Sequence, residues 1–80
     1  MRSFYPQAAR KDGLEGDVSL RILVATSGEV LRVRVVKPAG NGFDEASTAI
    51  VKRFRFRASE VRGELVEVWI PWTYKFRIEG

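Results

Sequence analysis

Ser27 and Ser47 carry hydroxyls, and Lys11, Lys37, Lys52 and Lys75 carry amines, that could attack an electrophile if a base or a desolvated setting activated them. The chain has no histidine to activate a serine and no cysteine to supply a thiolate. The lysines fall where the pattern places solvent. With imidazole and thiolate absent, only carboxylates remain to hold a metal, and disulfides are excluded. Those carboxylates show none of the spacing used by glycosidases or two-metal sites. Gly40-Asn41-Gly42 precedes a helical pattern and is the one candidate anion cradle, but it lacks a Gly-Lys-Ser/Thr ending and a βαβ setting. The chemistry points away from catalysis, and no cofactor is expected.

What remains is recognition by backbone groups, aromatic rings and charge. From Leu65 to Ile78 the residues alternate: Val66, Val68, Ile70, Trp72, Tyr74, Phe76 and Ile78 on one side, Glu67, Trp69, Pro71, Thr73, Lys75 and Arg77 on the other. At about 3.3 Å per residue such a strand reaches roughly 45 Å and outruns its neighbours. Pro71 has no N–H for a ladder, which places the strand at a sheet edge or a bulge. An exposed edge of this kind is a template for pairing with another chain. Trp72 and Tyr74 belong to the apolar row and read as core. Trp69, on the other side, is either a cover for the outer face or part of a binding surface.

The elements that position this strand follow from the rest of the sequence. Residues 4–13 read as a short helix with Pro6 at its first position and Gly13 just past its end, held by packing of Tyr5, Ala9 and Leu14. Asp17 to Ala25 alternates and forms a strand; a turn at Thr26-Ser27-Gly28-Glu29 leads to a second, Val30 to Lys37, with Leu31, Val33 and Val35 on one face and Arg32 and Arg34 on the other. Phe43, Ala46, Ile50 and Phe54 carry a helical period, predicting a helix from Phe43 to about Phe56 with Lys52, Arg53 and Arg55 in its last turn, where the macrodipole favours them. Residues 57–63 read as a loop. The order helix, strand, strand, helix, strand gives an α+β fold: two helices on one face of a three-stranded antiparallel sheet ending in a long edge strand.

Eighty residues make a single domain, 1–80, with a thin core. No apolar run is long enough to span a membrane, and no signal peptide is apparent. The net charge of +4 is concentrated in the middle of the chain. A nucleic-acid surface built from Arg32, Arg34, Lys52, Arg53 and Arg55 is the less favoured reading, because neither stacking groups nor a docking motif accompanies it.

Tyr5-Pro6-x-x-Ala9, Gly13-Leu14-Glu15-Gly16-x-Val18, Gly28-x-Val30, Phe43-Asp44-x-Ala46 and Phe54-Arg55-Phe56, in this order, resemble the C-terminal domain family of TonB, the energy transducer of Gram-negative bacteria. The resemblance implies a non-catalytic periplasmic domain, tethered to the inner membrane through an N-terminal anchor and a proline-rich spacer and driven by ExbB–ExbD. It would bind the TonB box of outer-membrane transporters by strand addition and transmit proton-motive energy for uptake of siderophores or cobalamin. Carried onto this chain, the pairing edge falls on Val66, Glu67, Val68, Trp69, Ile70, Pro71 and Trp72. Tyr5, Pro6 and Arg10 would lie near the transporter. Ala8 and Arg2 replace an arginine and a glutamine of the family pattern, Phe54 a tryptophan and Ala58 a proline. A TolA-like periplasmic scaffold is the alternative within the same structural class. Nucleic acid is not an expected partner, and a weak homodimer is a competing use of the edge.

Overall fold

The computed structural model describes residues 5–78; Arg2 and Phe4 lie outside them. Seven elements follow one another: α1 (Gln7–Lys11), β1 (Gly16–Val24), β2 (Val30–Lys37), α2 (Phe43–Val51), β3 (Ser59–Val61), β4 (Glu64–Val66) and β5 (Val68–Phe76). The main sheet has three antiparallel strands in the order β2-β1-β5, as the α-β-β-α-β reading requires. β3 and β4 form a separate two-stranded sheet.

β1 is the central strand because its alternate residues Val18, Leu20, Ile22 and Val24 are buried. Phe43 and Val51 of α2 and Ala9 of α1 complete the core over this face. At one end of the sheet Phe43 and Phe76 stack with ring centroids 4.6 Å apart, and Tyr5 stands edge-on to both at 5.6 and 5.4 Å. The Tyr5 hydroxyl donates to the Leu14 carbonyl. α1 is closed by Leu14 N–H to Ala9 O (2.8 Å) and Gly13 N–H to Arg10 O (3.2 Å), the paired bonds of a Schellman motif. Pro6 is the N-cap of α1, one position before the expected one.

α2 ends at Val51, short of Phe56. Phe54 and Phe56 instead turn their rings edge-on to Trp72, at 5.7 and 5.4 Å, and Phe56 N–H donates to Gly28 O at 2.9 Å. An aromatic on the helical period was captured by an aromatic on the sheet. Lys52 is the C-cap of α2, and Arg53 and Arg55 lie beyond the helix. Gly28 is required at this junction: its φ is +91°, and a Cβ there would overlap the Phe56 carbonyl oxygen.

The expected loop at 57–63 contains β3, which pairs with β4 through a two-residue turn. Arg62 and Gly63 both have positive φ, 53° and 82°, as a type I′ turn requires. The long alternating run is thus divided at Glu67: β4 pairs with β3 and β5 with β1. Within the main sheet β5 is matched residue for residue by β1, so it does not outrun its neighbour there as one strand from Leu65 to Ile78 would; the molecule extends 49 Å by 22 Å by 19 Å.

Candidate functional site

Among the described residues β5 has β1 on one side and no strand on the other. Which of its backbone groups face outward follows from β1. Ala25 N–H donates to Glu29 O at 2.8 Å, so the odd-numbered backbone groups of β1 face β2. Alternation turns residues 16, 18, 20, 22 and 24 toward β5, where they meet Phe76, Tyr74, Trp72, Ile70 and Val68. Beyond the strand, Ile78 N–H still points to this side, donating to the Glu15 carboxylate at 2.9 Å. Pro71 opposes Arg21, in a pair that exchanges no ladder bond. Its missing N–H is therefore missing from the open edge, not from the sheet. The outward row is Trp69, Pro71, Thr73 and Lys75: donors at 69, 73 and 75, carbonyls at all four.

The other edge is built differently. Along β2 the register jumps from Lys37 to Val35 and from Arg32 to Val30, leaving Val36 and Leu31 as bulged extra residues. Their side chains are 59% and 50% exposed. Leu31, expected on the inner face with Val33 and Val35, is displaced from that row by its bulge. β5 runs through nine consecutive pairs without a shift. β2 is blunted against pairing and β5 is not.

The pairing residues expected from the sequence divide between two elements. Val66 is in β4 and pairs with Ser59, Glu67 is the connecting residue, and Val68, Trp69, Ile70, Pro71 and Trp72 lie in β5. Of the last five, only Trp69 and Pro71 turn their backbone outward. Trp72 is on the inner face against Phe54 and Phe56 but remains 37% exposed; Trp69 is on the outer face, opposite Leu23, and 38% exposed. Tyr5, Pro6 and Arg10 are grouped elsewhere. Tyr5 packs at the Phe76 end of β5, Pro6 borders Gly42, and Arg10 is exposed on α1. Val68 and Phe76 stand at opposite ends of the nine-residue β5, about 26 Å apart.

The glycine-rich loop is not an anion cradle. The Asp44 carboxylate already accepts from Ala39 N–H at 2.8 Å and Gly40 N–H at 3.2 Å. Among the described residues no group of three His, Cys, Asp or Glu side chains gathers to hold a metal, and no helix is long and apolar enough to cross a membrane.

These features define a small α+β domain without catalytic machinery among its described residues, whose sheet has one blunted edge and one regular, open edge. Residues 1–78 match the family described as Gram-negative bacterial TonB protein C-terminal, and the chain belongs to that family, which is non-catalytic. It is 31% identical over 75 residues to Protein tonB2 of Pseudomonas aeruginosa, covering 92% of this chain and 28% of that protein. It is 36% identical over 61 residues to Protein TonB from each of two strains of Xanthomonas campestris pv. campestris, covering 75% of this chain and 27% of each. The chain thus spans little more than a quarter of the length of these relatives.

Proposed function

We propose that this domain is the receptor-binding end of a periplasmic energy transducer and captures the TonB box of an outer-membrane transporter as an added strand along β5. The observation that carries this reading is the contrast between an uninterrupted open edge on β5 and a twice-bulged edge on β2. Main-chain hydrogen bonds supply the affinity in such pairing, and alternate side chains supply the selectivity. Because the outward row runs from Trp69 to Lys75, the pairing stretch includes Thr73 and Lys75 besides the Val66–Trp72 segment. Tyr5, Pro6 and Arg10 lie toward the transporter. A segment beyond this chain tethers the domain to the inner membrane and links it to ExbB–ExbD, so that force drawn from the proton gradient reaches the transporter. A weak homodimer through the same edge competes with the box.

Titrating the isotope-labelled domain with a TonB-box peptide tests this. The amides of Trp69, Thr73 and Lys75 are expected to shift most. Shifts confined to Lys52, Arg53 and Arg55 would eliminate the proposal.

A further inference from the structure

Among the described residues the outer face of the three-stranded sheet is largely exposed, with Arg21, Arg32, Arg34, Pro71 and Thr73 open to solvent, and its charge is mostly positive. Arg21 of β1 and Arg34 of β2 stand directly opposite each other in the register, and Arg32 follows one pair along the same face, opposite Leu23. Like charges directly opposite on a sheet destabilise it. None of the three guanidiniums has an ion-pair partner among the described residues. Asp17, the one carboxylate on this face of β1, is committed to Arg77 at 2.7 Å. A groove of about 500 Å³ at the β2 edge, lined by Leu31, Arg32, Val33, Arg34, Lys52 and Trp69, joins this face to the helix side, where Val33 packs on the core and Lys52 caps α2. It therefore combines cations without counter-ions, an exposed indole and an exposed leucine. A local rule is broken here without internal compensation, which is characteristic of a surface shaped for a partner.

We infer that this face binds an acidic, extended polypeptide segment with interspersed apolar residues. Guanidinium forks match carboxylates in bidentate geometry. Trp69 and Leu31 provide apolar contact that a phosphate-rich partner would not use. A second copy of the chain, itself carrying +4, is disfavoured by repulsion. Trp69 also stands on the open edge of β5, so a chain that leaves this edge and crosses the outer face past Trp69 reaches Arg21 on β1 and then Arg32 and Arg34 on β2. The inference rests on the strand-addition reading only for this route: the same partner is taken to supply both the strand and the acidic segment.

The test is a titration of the labelled full chain with a capped peptide alternating Glu and Val, read by calorimetry and by the arginine Nε–H and Trp69 indole signals. Arg21→Gln/Arg34→Gln is expected to weaken binding about tenfold while leaving the melting temperature equal or higher, because a repulsion is removed. Thr73→Pro is expected to abolish shifts of the β5 edge amides and preserve those of the arginine signals, which separates failure of strand addition from failure of this surface. Shifts restricted to the edge amides and insensitive to the double substitution would overturn the inference. So would a lowered melting temperature of the double variant, or arginine-dependent binding to phosphatidylglycerol vesicles or heparin with none to the peptide.

Discussion

β2 and β5 flank the same central strand, yet one edge is bulged twice and the other keeps an unbroken register. On β2, two bulges push Leu31 and Val36 out of register, and Arg32, Arg34 and Lys37 add charge. On β5, nine pairs run without a shift and the single obstacle is Pro71, whose defect points outward. Bulges and charges are the devices by which sheets avoid edge-to-edge association. On β2 both devices act together, whereas β5 keeps its register and carries only Pro71 and Lys75 on its outward row. A lone proline weakens an open edge by one donor, whereas a bulge removes the ladder spacing itself.

The contrast can be broken most strongly by loosening what holds β5 to the sheet. Phe43→Ala removes the ring stacked on Phe76 at full burial and is expected to cost about 3–5 kcal/mol in urea denaturation; a loss under about 1 kcal/mol would show that β5 is held by β1 alone. Gly28→Ala strikes the junction of the β1–β2 turn with Phe56. Strain and overlap predict about 2–3 kcal/mol of destabilisation, measured in the same way, and no loss would mean that the Phe56 contact is dispensable. Thr73→Pro removes a second outward donor. Stability should change by less than about 1 kcal/mol while affinity for a TonB-box peptide falls about tenfold; equal losses of both would mean that Thr73 faces β1. Pro71→Val restores the missing donor and should tighten the same peptide about fivefold, with a parallel rise in self-association seen by sedimentation. Deleting Leu31 should produce the smallest effect, a weak concentration-dependent association through the straightened β2, detectable by the same sedimentation experiment.

Periodicity made much of the fold legible. Alternation bounds β2 at Val30–Lys37 and β1 to within a residue, and the helical period starts α2 at Phe43, as in the structure. Local pattern failed where a distant residue decides. Phe54 fits the helical face of α2, but Trp72 draws it out of the helix. Leu31 fits the inner row of β2, yet its bulge depends on pairing with Leu23 and Val24. β3 has only three residues and no alternation of its own; its partner β4 and the Arg62-Gly63 turn create it. At the candidate site the open edge was visible in the alternation and in Pro71. The outward direction of Pro71 and the meeting of Arg21 with Arg34 were not, since both follow from register across strands.

β5 also fixes how a load would be borne. Its nine residues span about 26 Å and define an axis along the open edge. A partner strand laid on it and drawn along that axis would strain its hydrogen bonds in shear, all sharing the tension, rather than peeling them one by one. Pro71 then divides the load-bearing bonds into two clusters, one at Trp69 and one at Thr73 and Lys75. Rupture would then require both to slip together, so a strand paired in this way would resist traction more than two independently broken clusters would.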